Sequence, residues 1–310
     1  MKIIRYSNKE FSNWNNFLKT SKNGTFLINR NYMDYHSDRF IDFSLMVKDS
    51  KDSIVAILPA SLHDNEIISH GGLTYGGFIV NQKMRTEKML LIFEAFIKYL
   101  KENAFEKITY KAIPHIYHQS PSEEDLYCLF RNGFRISRRD VSSSINLRTT
   151  EIKGQKRNGA KKAIKNGLKI IETEISKNIL EVVNTNLKNK YRVSSVHTHK
   201  EMDLLKNRFK KNIVMLELLQ QNNIVGGAIL FIDKKVVHAQ YVATTEEAKK
   251  NRGLDLIVAY IIDSFKNDFE WFDFGISTEK NGTKLNTSLI KSKEEYNLSS
   301  VCYDFYELEI

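Results

Sequence analysis

The sequence has no uninterrupted apolar run of the roughly 18 residues that a membrane-spanning helix needs, and its 310 residues include only two cysteines. Cys128 and Cys302 lie far apart within apolar patterns, so we expect two buried free thiols in a reducing compartment. No spacing of cysteine and histidine is typical of a zinc site, and we expect no metal. The first residues lack the apolar core and cleavage site of a signal peptide. These features together favour a cytoplasmic protein.

The residues that are present are ordinary for a globular protein, apart from their charge. Apolar residues make up 42% of the chain and charged residues 27%, enough for two domains of ordinary size to bury their cores. Lysine and arginine outnumber aspartate and glutamate by 47 to 37, which gives a formal charge of +10. This excess indicates an anionic partner such as a nucleotide cofactor, a nucleic acid or a membrane surface, or it reflects a lysine-rich solvated surface.

The clearest organisation in the chain is an order of elements that occurs twice. In the first half, apolar periodicity predicts strands over 43–47 and 54–62 and from 66, a helix over 85–103, a strand over 107–113, a helix over 122–132 and a strand over 134–147. In the second half it predicts strands over 213–219, 224–232 and 236–243, a helix over 252–265, a strand over 270–274, a helix over 283–296 and a strand over 300–308. The shared order favours a duplicated mixed α/β (α+β) fold, and the alternative is two unrelated α+β halves.

The junction between the third strand and the first helix of the second half is suited to phosphate. A helix N-terminus presents unpaired N–H groups and the positive end of its dipole. Lysine and arginine add positive charge there, and Gly253 permits close approach of a ligand to the backbone. The predicted cofactor-binding residues are Val242, Ala243, Thr244, Lys249, Lys250, Asn251, Arg252, Gly253 and Leu254. The alternative is an ordinary basic helix N-terminus at the surface.

This junction resembles the pyrophosphate loop of the GNAT acyltransferases. The family pattern Gln/Arg-x-x-Gly-x-Gly/Ala matches residues 250–255 at its first glycine and departs at its second. Three further stretches resemble Fem-like transferases: the glycine-rich segment 70–77, the basic helix around 156–168, and Phe-Asp-Phe-Gly-Ile-Ser-Thr at 272–278 with the helix that follows. The resemblance covers most of the chain from about residue 40.

The resemblance implies two tandem GNAT-like domains, each a mixed sheet flanked by helices. The N-terminal domain, residues 1–148, would lie on the acceptor side, and the C-terminal domain, residues 149–310, on the acyl-coenzyme A side. We place the joint in the basic stretch 151–167, which we expect to be helical although it contains two glycines.

Three residues of the second half are candidates for catalysis. Asp273 ends a strand, where it can accept a proton from an amine or orient a nucleophile, or can simply cap the next turn. His238 is a candidate base or a core histidine. Tyr296 is a candidate general acid to a leaving thiolate or an apolar packing residue.

The four glycines of segment 70–77 predict an exposed backbone that can hold a substrate, with Tyr75 stacking on a ring. The alternative is a bulged strand. We expect the acceptor to lie between this segment and the strand end at Asp273. The predicted substrate-binding residues are Gly72, Thr74, Tyr75, Gly76, Ser277, Thr278 and Lys293.

The implied function is acyl-CoA-dependent N-acyl transfer, from acetyl-CoA or another acyl-CoA. The acceptor would be a small-molecule amine such as a nucleotide-linked amino sugar of envelope polysaccharide synthesis. The alternative is Fem-type transfer from an aminoacyl-tRNA to a peptidoglycan precursor, with the basic helix 153–169 against RNA phosphates. A third reading is a non-enzymatic binder of nucleic acid or of a membrane surface.

Overall fold

The computed structural model describes all 310 residues as a mixed α/β protein. Its strands are β1 (Lys2–Arg5), β2 (Ile41–Asp42), β3 (Leu45–Lys48), β4 (Ile54–Leu58), β5 (Ser61–His63), β6 (Glu66–Ile68), β7 (Ile79–Val80), β8 (Lys107–Lys111), β9 (Arg135–Asn146), β10 (Leu168–Thr173), β11 (Ile213–Gln220), β12 (Asn223–Asp233), β13 (Val236–Thr244), β14 (Trp271–Ile276), β15 (Thr278–Glu279), β16 (Lys284–Leu285) and β17 (Ser299–Glu309).

The chain also forms ten α-helices. They are α1 (Phe11–Lys19), α2 (Arg30–Met33), α3 (Thr86–Glu102), α4 (Glu124–Arg131), α5 (Gly154–Lys165), α6 (Lys177–Tyr191), α7 (His199–Arg208), α8 (Glu246–Lys250), α9 (Gly253–Phe265) and α10 (Thr287–Glu294). None of them combines the length and the apolar character needed to cross a membrane.

The chain forms two compact units. The first contains Met1–Val141, Thr278–Lys284 and Cys302–Ile310, and the second contains Ser142–Ser277 and Leu285–Val301. The long strands β9 and β17 contribute residues to both units. The division at residues 148 and 149 into an acceptor side and an acyl-CoA side stays a prediction.

The first unit contains a four-stranded sheet in the order β1-β3-β4-β7 and a second set of strands in the order β17-β8-β6-β5-β2. Strand β6 is parallel to β8, whereas the pairs β1–β3, β3–β4, β4–β7, β17–β8, β6–β5 and β5–β2 are antiparallel. Helix α3 buries one apolar face, as its periodicity predicts. The buried residues of that face are Met89, Ile92, Phe93, Phe96 and Leu100.

In the second unit the strand order is β10-β11-β12-β13-β14-β9. Strands β13 and β14 are parallel and pair at only three positions, from Val236–Trp271 to His238–Asp273. Beyond that pair β13 continues to Thr244 with β12 as its neighbour, so the parallel strands separate. Helix α9, hydrophobic on most of its surface, packs on this sheet and fills the core. The result is an opening in the sheet that begins directly after His238.

Several local predictions differ from the structure. The helix expected over 283–296 begins only at Thr287, because the side chain of Asn286 caps it by accepting from the N–H of Leu289 at 3.1 Å. Helix α8 was not predicted, since five residues are too few to show a period. Both cysteines are free, as expected, but Cys302 is exposed because its side chain points outward from the alternating strand β17.

Candidate active site

The sheet opening of the second unit begins at a histidine–aspartate pair. The register of β13 and β14 places His238 beside Asp273, with His238 Nδ1 2.9 Å from Asp273 Oδ2. The side chain of Asp273 is fully buried, whereas that of His238 is 17% exposed. Of the two side chains, the histidine is therefore the one that a ligand in the opening can touch.

Three donors hold the other carboxylate oxygen of Asp273. The hydroxyls of Ser142 and Ser144 donate to Oδ1 at 2.5 and 3.0 Å, and the backbone N–H of Gly275 donates to it at 3.2 Å. Strand β9 is antiparallel to β14 with Ser144 opposite Asp273, so residues 142 and 144 point to the same face. These hydrogen bonds compensate the cost of burying a negative charge.

This geometry assigns different roles to the two residues. A carboxylate only accepts hydrogen bonds, so His238 Nδ1 donates to Asp273, and the lone pair is then carried by Nε2. An imidazole fixed in this tautomer can take a proton from a substrate at Nε2 while the aspartate stabilises the resulting cation. His238 and Asp273, both candidates from the sequence, are thus in direct contact, in a geometry in which the histidine can act as a base.

A second histidine, His197, lies in the loop between α6 and α7 and contacts β13. Nδ1 of His197 is 2.9 Å from the hydroxyl of Tyr241, and the ring of His197 contacts Phe231 edge-on, with ring centroids 6.2 Å apart. Phe231 is in turn the cross-strand partner of His238. Neither His197 nor Tyr241 was predicted: His197 lies in an irregular loop without a periodic signal, and the period of β13 does not show which loop side chain Tyr241 contacts.

The loop after Asp273 is braced from inside. The ammonium of Lys293 donates to the carbonyls of Gly275 and Ile276 at 2.7 and 3.0 Å, and burial lowers the pKa of Lys293 to about 8. Ser277 is buried with no hydrogen-bond partner for its hydroxyl. Thr278, in the first unit, donates to Asp140 at 2.6 Å. The substrate contacts of Ser277, Thr278 and Lys293 stay predictions, and the amine of Lys293 is already bonded to the chain.

Tyr296 belongs to a different group of side chains. It is buried, its hydroxyl donates to Asp255 at 2.6 Å, and burial raises its pKa. Lys156 lies over its ring, 4.4 Å from the centroid. This surrounding favours the packing role for Tyr296 over that of a general acid, because a general acid needs a pKa near the working pH and access to the leaving group.

The start of α9, where the pyrophosphate was expected, already holds an anion of the chain. Asp255 is buried in the first helical turn, 2.5 Å from Arg252 Nε and 3.6 Å from Lys156 Nζ. Helix α5 lies against this turn so closely that a Cβ on Gly159 would collide with Asp255 and Arg252. A pyrophosphate here would meet a like charge and would have to compete for Arg252. The buried carboxylate of Asp255 therefore counts against a coenzyme A pyrophosphate at the N-terminus of α9, where the cofactor contacts stay a prediction.

The other residues of the expected cofactor loop have mixed surroundings. A Cβ on Gly253 would meet the side chain of Leu218 at 2.8 Å and the carbonyl of Ala248 at 3.0 Å, so packing within the chain accounts for this glycine. Lys249 and Lys250 are exposed. Of the remainder, Ala243 and Thr244 are buried, and Val242, Asn251 and Leu254 are partly buried. The cofactor contacts of these residues stay predictions.

The glycine-rich segment lies in the first unit, between β6 and β7 in the chain, and runs along the end of β8. Ser69 N–H donates to the Thr109 carbonyl at 2.8 Å, and Gly76 N–H donates to the Lys111 carbonyl at 3.0 Å. A Cβ on Gly76 would collide with the carbonyl of Ser69. The end of the segment thus lies between the end of β8 and the backbone of Ser69, which explains the need for glycine at position 76.

Within this segment, the predicted substrate residues divide by exposure. Gly72 and Thr74 are exposed, whereas Tyr75 and Gly76 are buried. The ring of Tyr75 packs on Tyr117, with centroids 4.7 Å apart, and its hydroxyl donates to Thr25 at 3.2 Å. The stacking of Tyr75 on a substrate stays a prediction, and its ring already has a partner in the unit's own core.

No protein-family model matches the sequence, and no curated protein matches it either. Solved structures do match over nearly the whole chain. The crystal structure of FemX has a TM-score of 0.69 at 9% identity, with 100% of this chain and 98% of that one covered. The C-terminal domain of a putative lysylphosphatidylglycerol synthetase from Agrobacterium fabrum has a TM-score of 0.61 at 12% identity, covering 97% and 92%. A tandem GNAT protein from the clavulanic acid biosynthesis pathway has a TM-score of 0.55 at 9% identity, covering 99% and 98%. At such identities the likeness shows the fold alone, and the predicted architecture is confirmed.

Proposed function

Because this chain has the tandem GNAT fold of Fem-like proteins, we propose that it is an N-acyltransferase with His238 as its general base. The observation that carries the proposal is the pair formed by His238 and the buried Asp273 where β13 and β14 separate. The pair combines a base that a ligand can reach with a carboxylate that no ligand needs to touch.

The proposed reaction joins an amine to an activated acyl group. His238 Nε2 takes a proton from the amine as its nitrogen attacks the acyl carbon, and the bond from that carbon to its carrier then breaks. Asp273 holds the imidazole in place and stabilises its cation. Backbone N–H groups of β13 beyond His238 are not paired with β14. In the proposed reaction they stabilise the negative charge that develops on the acyl oxygen by donating hydrogen bonds to it.

Acetyl-CoA or another acyl-CoA is the first donor to test, as the fold family suggests. The sheet opening at His238 supports an acyl-CoA donor. The buried carboxylate of Asp255 at the start of α9 counts against it. The acceptor class that goes with this donor is a small-molecule amine, with nucleotide-linked amino sugars as the first candidates.

Aminoacyl-tRNA is the second donor, in the Fem-type reading. The filled start of α9 favours it, because a donor without a coenzyme A pyrophosphate has no need of that site. The basic helix offers RNA a smaller surface than its sequence suggests. Lys156 pairs with Glu295 at 2.8 Å and Arg157 pairs with Asp263 at 2.5 Å. The exposed lysines of this helix and the strand after it are Lys153, Lys161, Lys162, Lys165 and Lys169.

The test is a screen of amines against both donors, with mass spectrometry of the products. We expect an acylated amine with the wild-type chain and a kcat about 10²–10⁴ lower in His238→Gln, the usual size of a general-base contribution. His199→Gln, which changes an exposed histidine of the same unit, serves as the matched control. Full turnover in His238→Gln would overturn the assignment of the base.

A further inference from the structure

We propose that Ser142 and Ser144 are positioning residues that set how strongly His238 binds a proton, acting through Asp273. This inference rests on the proposed function, in which His238 is the base. Nothing in the sequence points to these serines beyond their place in a run of three on a strand, Ser142-Ser143-Ser144.

The two hydroxyls and the histidine share one carboxylate. Ser142 and Ser144 donate to Oδ1 of Asp273, while His238 Nδ1 lies against Oδ2. Both serines are almost fully buried, and so is the aspartate. Water therefore contributes little to solvating this carboxylate, and both serines donate to it on the Oδ1 side.

The charge on Oδ2 depends on what is bonded at Oδ1. Hydrogen bonds to a carboxylate stabilise its negative charge and weaken its attraction for an imidazolium nearby. Removing a serine hydroxyl leaves a stronger acceptor for His238 and stabilises the protonated ring. The two serines thus keep His238 a weaker acceptor of protons than an unbonded aspartate would make it.

Another charged group also faces this carboxylate. Lys293, from α10, bonds the carbonyls of Gly275 and Ile276 in the loop after Asp273, and its own charge is favoured by that of Asp273. Its recorded hydrogen bonds go to backbone carbonyls and to neither serine, so we expect a constant background from it in the comparison of the variants.

Ser143 provides a matched control on the same strand. It is buried to the same extent as its neighbours, 1% exposed, and its hydroxyl has no hydrogen-bond partner. Because successive side chains on a strand alternate between the two faces, it points away from the face that carries Ser142 and Ser144. Ser143→Ala removes the same atom from the same strand without touching Asp273.

The experiment is an NMR titration of the His238 ring in the wild-type chain and in Ser142→Ala, Ser143→Ala, Ser144→Ala and Ser142→Thr. We expect Ser142→Ala to raise the proton-binding constant of His238 about threefold or more, given the strength of hydrogen bonds to charged groups. Ser144→Ala should have a smaller effect because its bond is longer. The proton-binding constant of His238 in Ser143→Ala should match that of the wild type. Ser142→Thr should also keep the wild-type constant, since threonine retains the hydroxyl.

Where turnover is measurable, the acid limb of the kcat/KM profile should move to higher pH in Ser142→Ala and stay in place in Ser143→Ala. Equal His238 titrations in the folded Ser142→Ala and Ser143→Ala variants would overturn the inference. The titration needs no substrate, so its failure is distinct from that of the proposed function, which shows as full turnover in His238→Gln.

Discussion

His238 and Asp273 stand side by side on parallel strands, Nδ1 to Oδ2 at 2.9 Å, with the histidine partly exposed and the aspartate fully buried. This difference in exposure decides which of them can exchange a proton with a ligand. It also explains why the carboxylate needs three donors on its other oxygen, since no solvent reaches it.

The first prediction concerns Asp273. Asp273→Asn replaces an acceptor with an amide that can donate to Nδ1, so the imidazole turns to the tautomer with its proton on Nε2 and can no longer accept one there. We expect kcat to fall by a factor of about 10²–10⁴. The affinity for the acyl donor, measured by calorimetry, should stay unchanged. Asp268→Asn, at an exposed position of the same unit, is the control. Turnover near the wild-type level would remove Asp273 from the mechanism.

The sequence was most informative where a pattern is local. The apolar period over 85–103 predicted α3, and the alternation over 236–243 predicted β13. Helix α8 was missed because its five residues are too few to show a period, although Thr245 caps it by accepting from the N–H of Ala248 at 3.2 Å.

Contacts between side chains distant in sequence could not be predicted in the same way. Ser142 and Asp273 are 131 positions apart, and only the register of β9 on β14 brings them together. Tyr75 looked suited to a ligand because glycines surround it, yet Gly76 serves a close approach to the backbone of Ser69, and the ring of Tyr75 is buried on Tyr117. Composition around a residue does not state which way the side chain points.

The second prediction concerns acid stability. Burial lowers the pKa of His70 to about 3 and that of His118 to about 4, whereas both titrate near 6.5 when unfolded. The unfolded chain therefore binds protons that the folded chain does not, and the free energy of unfolding falls as pH drops below about 6.5. Each histidine contributes a slope of about 1.4 kcal/mol per pH unit between its folded and unfolded pKa values.

Urea unfolding at pH 7, 6 and 5 measures this slope. His70→Asn suits the test, because the backbone at His70 is left-handed (φ 45°), a conformation that asparagine tolerates. We expect the free energy of unfolding of the variant to fall less steeply with decreasing pH. The difference in slope should correspond to about one proton fewer taken up on unfolding. A slope equal to that of the wild type would show that His70 is protonated in the folded state.

The third prediction concerns the contact of α5 with α9. Alanine is favoured over glycine by about 1 kcal/mol inside a helix, yet a Cβ on Gly159 would collide with Asp255 and Arg252. We expect Gly159→Ala to destabilise the chain by about 1–3 kcal/mol, the usual cost of overpacking. Asn158→Ala, at the exposed neighbouring position, should be neutral or stabilising. If thermal unfolding shows Gly159→Ala to be as stable as Asn158→Ala, α5 does not press on this turn.

The last prediction separates the structural role of Arg252 from cofactor binding. Arg252 pairs with the buried Asp255 at 2.5 Å, so Arg252→Glu places two acids together. Arg252 is itself 30% exposed, and the loss of stability should be about 1–3 kcal/mol. Lys250 is exposed and makes no ion pair, so Lys250→Glu should unfold like the wild type.

Acetyl-CoA titration of the Lys250 variant then tests the loop without the confounding loss of Asp255's partner. Because Asp255 already occupies the start of α9, we expect no change in affinity beyond a small screened effect of one exposed charge. Weakening by about 1–3 kcal/mol, the size of charge-assisted bonds to phosphate, would return the pyrophosphate to this loop and would favour acyl-CoA over aminoacyl-tRNA as the donor.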